Sequence, residues 1–376
     1  MRRTYLYQAK IGQDTQDNAE KWLDLCRHLY NAALEQRVLY YKQGKKSLSA
    51  FSQNNQLPEL KEALPEFKEV NSQVLQEVIG KLDKAYQGFF RRAMNGEKPG
   101  FPRFKGKNRF NSFTLRYTQG WKLEGRYLTI SKVGRFKLSP IREIEGKIKT
   151  ITVRHSPTGK WFVSFSCDNV SARPYPEATK EIGIDVGLKS FCVDSEGKQV
   201  KSPKYFRLSE RLLRIKQRTL SRRKKGSIRR NKARIQVARL HEKVSNQRKD
   251  FLHKLSHEYI KDNKVVCVED LNIGGMKQNK HLSKSIGDAS WGMFFNFLSY
   301  KAEEAGRIVV KVAPNNTSQI CSSCGEKVPK SLAVRIHNCP FCGLIEDRDL
   351  NASRNILVLG LGHSRHALTP ALVGVA

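Results

Sequence analysis

Residues 321–351 read Cys321-Ser-Ser-Cys324, fourteen intervening residues, Cys339-Pro-Phe-Cys342, Gly-Leu-Ile-Glu346 and then Asp347-Arg-Asp349-Leu-Asn351. Two CxxC pairs at this spacing can wrap one Zn²⁺ tetrahedrally, each pair closing a tight knuckle. A shell of four thiolates leaves no open coordination position. One structural zinc ion on Cys321, Cys324, Cys339 and Cys342 is therefore expected, not a catalytic one. The acidic pair Asp347 and Asp349 then enters a helix-like run, Asn351-Ala-Ser-Arg-Asn-Ile-Leu357. Two readings follow. Either the ribbon is clipped into a nuclease core just before that core's last acidic ligand, or it is an independent ribbon with solvated acids beside it.

A chain of 376 residues has room for two or three domains with real cores. Its formal net charge is +34, from 69 Lys plus Arg against 35 Asp plus Glu, which points to a polyanionic partner. Aromatic residues make up 9%, enough for base stacking beside phosphate contacts. No apolar run approaches a spanning length, so a membrane partner is not expected. Met1-Arg-Arg-Thr-Tyr5 lacks the apolar core of a signal peptide. Cys26, Cys167, Cys192 and Cys267 stand singly in apolar segments, as buried free thiols do, which fits a reducing cytoplasm.

Upstream, the hydrophobic period changes twice. Residues 4–10 read as a strand. Trp22, Leu25, Cys26, Leu29, Ala32 and Ala33 then fall at helical spacing, and a polar loop follows near 43–56. A second helix is expected over 71–94, with Leu75, Val78, Ile79, Leu82, Tyr86 and Phe89 inward. From 101 to about 168 the period is two. Strands are expected at 113–117, 127–130, 148–154 and 161–166, with a hairpin turn at Pro157-Thr-Gly-Lys160. Together they suggest a β-barrel-like module that the first strand joins across the helical insertion. Cations and rings alternate from Phe101 to Phe110, so Arg103 and Lys105 are candidate phosphate contacts; an ordinary basic loop is the alternative.

A new domain opens at Glu181-Ile-Gly-Ile-Asp185-Val-Gly187, a strand, a turn and a return strand. From Arg207 to Lys249 the chain carries seventeen Lys or Arg and two acids, Glu210 and Glu242. Gly226 is expected to break this stretch into two helices, with Leu208, Leu212, Ile215 and Leu220 on the apolar stripe of the first. So one-signed a surface repels itself unless a polyanion lies against it. Lys264-Val-Val-Cys-Val-Glu269 reads as a buried strand, Trp291-Gly-Met-Phe-Phe as the start of an amphipathic helix, and Arg307-Ile-Val-Val-Lys-Val312 as the next strand.

Three acids occupy comparable places: Asp185 in a strand, Glu269 at a strand end and Asp349 at a helix start. Divalent ions need hard oxygen ligands that converge and leave room for water and phosphate. Each acid alone could be a surface carboxylate, and Asp349 alone a helix cap.

Ile182-Gly-Ile-Asp-Val-Gly187, Val268-Glu-Asp-Leu271, the CxxC ribbon and Asp347-Arg-Asp-Leu-Asn-Ala352 resemble the three RuvC motifs and zinc ribbon of the TnpB family. These are insertion-sequence-encoded, RNA-guided DNA nucleases related to type V CRISPR effectors. Gly100-Phe-Pro-Arg-Phe-Lys105, Leu220-Ser-Arg-Arg-Lys-Lys-Gly-Ser227 and Ser318-Gln-Ile-Cys-Ser-Ser-Cys-Gly325 are also similar to that family. The resemblance covers nearly the whole chain up to about Gly362.

It implies a multidomain fold of α+β and α/β parts. A wedge β-barrel (1–14 and 97–176) would carry a helical recognition insertion (15–96). A split RNase H-like RuvC domain (177–315 and 345–362, basic hairpin 206–262), a zinc ribbon (316–344) and a flexible tail (363–376) would follow. It further implies two Mg²⁺ ions on Asp185, Glu269 and Asp349. The partners would be a guide RNA from the transposon end, one protein per RNA, and double-stranded target DNA, in the bacterial cytoplasm. Motif-reading side chains would fall at Ser72, Gln73, Gln76, Thr118 and Gln119, and nucleic-acid contacts at Arg222, Arg223, Lys224 and Lys225. A guided repressor that does not cut, or a guide-independent transposase or resolvase, are the competing functions.

Overall fold

In the computed structural model the described residues are 1–44, 47–107, 109–116, 120–139, 142–172, 175–331 and 333–367. They form two units, Met1–Ser171 and Ala172–Ala376.

In the first unit β1 (Arg3–Ile11) leads into α1 (Gln13–Gly44), α2 (Ala50–Asn55), α3 (Leu57–Ala63), a 3-10 turn (Pro65–Glu69) and α4 (Ser72–Met94). Then come β2 (Ser112–Arg116), β3 (Trp121–Glu124), β4 (Tyr127–Ile130), β5 (Gly134–Leu138), β6 (Lys147–His155) and β7 (Trp161–Asp168). Their order is β2-β6-β7-β1-β5-β4-β3. The first strand thus joins the sheet across the insertion, between β7 and β5. Among the described residues β2 and β3 do not pair with each other, so the sheet is an open half-barrel where a barrel was expected.

Alternation decides its inner face. Tyr5, Tyr7 and Ala9 are buried with Trp161, Val163, Phe165 and Cys167. The helical period of α1 and α4 buries Trp22, Cys26, Leu29, Leu75, Ile79 and Leu82 in the same core. Trp22 meets Phe113 edge-on at 5.4 Å. The inward faces differ from the sequence reading at four places. Ala32 is exposed and Leu25 half-buried, while Tyr86 and Phe89 are half-buried and pack on Phe101.

The second unit begins with β8 (Lys180–Val186), β9 (Ser190–Asp194) and β10 (Gln199–Lys201), followed by α5 (Tyr205–Ser221) and α6 (Ile228–Asp262). Then come β11 (Asn263–Glu269), α7 (Ile273–Met276), α8 (Ser283–Ala289), α9 (Trp291–Ala305) and β12 (Ile308–Val312). The hairpin β13 (Ile336–Asn338) and β14 (Ile345–Asp347) precedes α10 (Arg348–Ala367). The main sheet is ordered β10-β9-β8-β11-β12. β11 runs parallel to both neighbours, and β8-β9-β10 is antiparallel. Parallel neighbours and covered faces explain why β11 is an unbroken apolar run.

One face of this sheet, with Ile182, Ile184, Val266 and Val268, packs on Leu252, Phe294 and Leu298. The other, with Val265, Cys267 and Val312, packs on Ile356 of α10. Gly226, at φ 83°, turns α5 into α6 as expected. The stripe expected along α5 is not buried: Leu208, Leu212 and Ile215 are exposed, and Leu213 is the residue that packs inward. α10 runs on to Ala367, past Gly362, so the first part of the expected tail is helical.

α10 crosses β8 at Gly183, where any Cβ would collide with the Ser353 carbonyl and lie 2.7 Å from the Leu357 nitrogen. Gly183→Ala should therefore lift the helix from the sheet and cost about 1–3 kcal/mol, the usual range for overpacking. Thermal melting checks this, and an unchanged Tm would contradict the close approach.

Candidate active site

The parallel pairing of β8 and β11 matches Ile182 with Val266, Gly183 with Cys267 and Ile184 with Val268. The next residue on each strand is Asp185 and Glu269. These two acids stand side by side where the strands end, with backbones about 4.8 Å apart. Alternation puts them on the face that carries Gly183 and Cys267, the face α10 covers. Ser353 and Leu357 of α10 rest on Gly183. Asp349 lies one turn before Ser353, so the helix start is carried toward the same strand ends.

Electrostatics link the three. The Asp185 carboxyl is pushed well above its usual range, first by burial and then by the charges of Glu269 and Asp349. Protein atoms hem this carboxyl in, yet the residue keeps part of its surface accessible. Burial also raises Glu269, which is 8% exposed, and a hydrogen bond from Thr317 opposes the rise. That bond runs from Thr317 Oγ1 to Glu269 Oε1 at 2.6 Å. Asp349 accepts two hydrogen bonds from the Arg348 guanidinium on one oxygen, at 3.2 and 3.0 Å, and Arg335 stands 3.7 Å away. The three carboxylates are not drawn within 4.8 Å of one another as the thiols are.

The helix cap weighed for Asp349 belongs to Asp347. Its Oδ1 accepts from the backbone N–H groups of Asp349 and Leu350 at 2.8 and 3.3 Å. Asp349 is therefore spared that task.

Cys321, Cys324, Cys339 and Cys342 bring all their sulfurs within 4.8 Å of one another. Cys321 lies 3.6 Å from Cys342, and Cys324 3.6 Å from Cys339. A tetrahedron with Zn–S bonds of about 2.3 Å has edges of about 3.8 Å, so the cluster fits a structural zinc ion. The four other cysteines are buried and free.

The first knuckle is latched to α10. Asn351 Oδ1 accepts from the Ser322 N–H at 2.9 Å, and its Nδ2 donates to the Ile320 carbonyl at 2.7 Å. Asn355 donates to the carbonyls of Thr317 and Ile320. Sequence reasoning missed Thr317 and Asn355, and gave Asn351 no role. Loop hydroxyls and amides carry no periodic signal. Only the proximity of Asn351 to the acidic pair hinted at a task.

The other candidate residues are distributed as follows. In the first unit Ser72 and Gln76 are exposed one turn apart at the start of α4, with half-buried Gln73 beside them. Arg103 is exposed, and Lys105 is fixed through its backbone to Asn31, with its ammonium 5.5 Å from the Tyr30 ring. Thr118 and Gln119 lie outside the described residues. In the second unit Arg222, Arg223, Lys224 and Lys225 are all exposed in the α5–α6 turn. Among the described residues no helix is long and apolar enough to cross a membrane.

The family OrfB_IS605, described as "Probable transposase", matches residues 153–280, and the "Cas12f1-like, TNB domain" matches 291–356. A Streptomyces pristinaespiralis protein named "Putative RNA-guided DNA endonuclease" is 32% identical over 373 residues, covering 97% of this chain and 90% of its own. The Escherichia coli K12 protein "Putative RNA-guided DNA endonuclease InsQ" is 29% identical, covering 95% and 92%. Among solved structures, a chain of the Cas12f1–sgRNA–target DNA complex superposes with a TM-score of 0.56 over 91% of this chain and 82% of its own, at 17% identity. The mini-RNA-guided endonuclease CRISPR-Cas_phi3 gives 0.51 over 96% and 92%, at 9% identity. At such identities these two structures speak to the fold, a mixed α/β architecture with RuvC-like and zinc-ribbon parts.

Proposed function

Because the chain belongs to the TnpB family, we propose that it is an RNA-guided DNA endonuclease of a transposable element. Its partners are a guide RNA, one per chain, and double-stranded target DNA. Asp185, Glu269 and Asp349 are its catalytic carboxylates and hold two Mg²⁺ ions. The observation that carries this reading is the β8–β11 register, which supports a shared site for Asp185 and Glu269 with the start of α10 above it.

Burial and mutual repulsion raise Asp185, and cations relieve both. Bound there, magnesium supplies a water activated for attack on phosphorus and neutralises the charge on the departing 3′ oxygen. The chain's own part is to hold its ligands rigidly, two from strand ends and one from a helix start. Thr317 fixes one oxygen of Glu269 and leaves the other free. Arg348 and Arg335 pair with Asp349 until cations compete for it.

Thr317→Val removes that hydrogen bond from a buried carboxylate. It should raise the magnesium requirement or lower activity about 10–100-fold, as loss of a ligand's outer partner does. Cleavage rate against Mg²⁺ concentration measures it, and an unchanged curve would remove Thr317 from the site.

The two units divide the remaining tasks. The wedge module (1–14 and 97–176), nearly all of it in the first unit, and its recognition insertion (15–96) read the target-adjacent motif. Ser72, Gln73, Gln76, Thr118 and Gln119 carry hydroxyls and amides suited to base edges, and Arg103 and Lys105 take phosphates. In the second, the α5–α6 turn presents Arg222, Arg223, Lys224 and Lys225 to the nucleic-acid backbone.

The purified ribonucleoprotein, given magnesium and a plasmid matching its guide, is expected to linearise it. Plasmid bound but unbroken would support the guided repressor. Cutting without RNA would support a guide-independent enzyme.

A further inference from the structure

On the sheet face opposite α10, a pocket of about 310 Å³ is lined by Leu188, Ser202, Lys204, Arg207, Ser285 and Asp288. Leu188 follows Asp185 by three residues, so the pocket opens at the same end of β8, no more than about 10 Å along the chain from Asp185. Its single carboxylate is already spent. Asp288 is 9% exposed, accepts from the backbone N–H groups of Phe206 and Arg207 at 2.9 and 3.2 Å, and pairs with Arg248 at 3.2 Å. The N-terminus of α5 is therefore satisfied by protein.

What remains to meet a ligand is cationic and hydroxylic. Arg207 is exposed and donates from Nη2 to Ser285 Oγ at 3.2 Å, which fixes the plane of its fork. Glu210 takes its other side at 3.3 Å, but shares that charge with Lys284 at 2.7 Å and Arg214 at 3.6 Å. The rim stays net positive. Lys204 is exposed at the start of α5, one turn before Arg207.

We propose that this pocket takes a phosphodiester of the DNA strand being cut, within roughly three nucleotides of the scissile bond at 3.4 Å per step. Lys204 and Arg207 are positioning residues: they anchor the strand so that the neighbouring linkage meets the carboxylates. The proposal rests on the nuclease reading above.

Lys204→Ala and Arg207→Ala, assembled with guide RNA, test it on targets in which one neutral methylphosphonate linkage is stepped along the cut strand. Both side chains are exposed, so folding and target binding should match wild type while the cleavage rate falls about tenfold to a hundredfold. One methylphosphonate close to the cut should reproduce that loss in wild type and add nothing in Arg207→Ala. Unchanged cleavage, or a neutral linkage that costs the variant as much as wild type at every position, overturns the pocket.

If wild type binds its target and never cuts, the nuclease reading fails on its own. The pocket is then judged by binding of a single-stranded oligonucleotide. Removing both cations should flatten the salt dependence by about 0.7 per phosphate lost, and the same methylphosphonate should abolish the difference. A slope equal to wild type overturns it.

Discussion

Asp185→Ala is expected to abolish target cleavage while the guide RNA and target DNA stay bound. Asp185 lies on the sheet face that α10 covers, whereas α6 packs on the other face through Leu252, so loading should survive. The chemical step should not. Removing one of three carboxylates forfeits several kcal/mol of charge stabilisation in the transition state, about a thousandfold or more at 1.36 kcal/mol per decade. Gel assays for cutting and binding on the same preparation separate the two effects. Equal cleavage by the variant would overturn the site assignment.

The same carboxylate should be a liability to the fold when magnesium is withheld. Its folded-state pKa is raised above the ordinary 3.8, chiefly by burial and then by Glu269 and Asp349. Between those two values the folded chain binds the proton that the unfolded chain has released. Stability contributed by this group therefore falls as pH climbs through the window, and the loss is complete above the raised pKa. Asp185→Asn should raise the Tm of the magnesium-free protein at neutral pH and change it little near pH 4. A lower Tm at neutral pH would contradict a repulsive cluster.

Much of this arrangement is legible in the residues because geometry and period agree there. The ribbon is read from spacing alone, since four thiolates at two tight turns have few other uses. β8 and β11 are read from apolar runs that end on acids. Their register then brings Asp185 and Glu269 together without any further signal.

What was illegible depended on partners distant in sequence. β3 and β5 flank β4 across positive-φ turns at Gly125 and Lys132, and of the three only β4 was expected from the sequence. α2 and α3 fall below the length at which a helix is stable alone, and stand only because the insertion packs them. Along α5 the period correctly announced a helix but chose the wrong face. Leu213 faces the core while Leu208, Leu212 and Ile215 do not. Asp347 and Asp349 are two residues apart, and only the position of the helix start decides which one caps it.

Loss of zinc is expected to be as damaging to cleavage as loss of an acid, through a chain of buried amides. Ile320 and Ser322 flank Cys321, and both are bonded to Asn351, which is fully buried. Asn355, 7% exposed, ties Ile320 and Thr317 to the next turn of α10, and Thr317 holds Glu269. Without the ion, nothing covalent closes the knuckle. Structural zinc contributes about 10–16 kcal/mol of binding, and that energy is what folds such a ribbon. Opening it strands the two asparagine side chains at about 1–3 kcal/mol for each unmet group. α10 is then free to shift on Gly183, and with it Asp349, while Glu269 loses its hydrogen bond. The opposite sheet face, packed on Phe294 and Leu298, shares none of these contacts and should persist. Cys339→Ser should therefore bind less than one zinc per chain, expose 316–347 to protease and lose cleavage, yet keep most of its strand signal in circular dichroism. A variant that has lost its zinc and still cuts at the wild-type rate would break the link between ribbon and carboxylates.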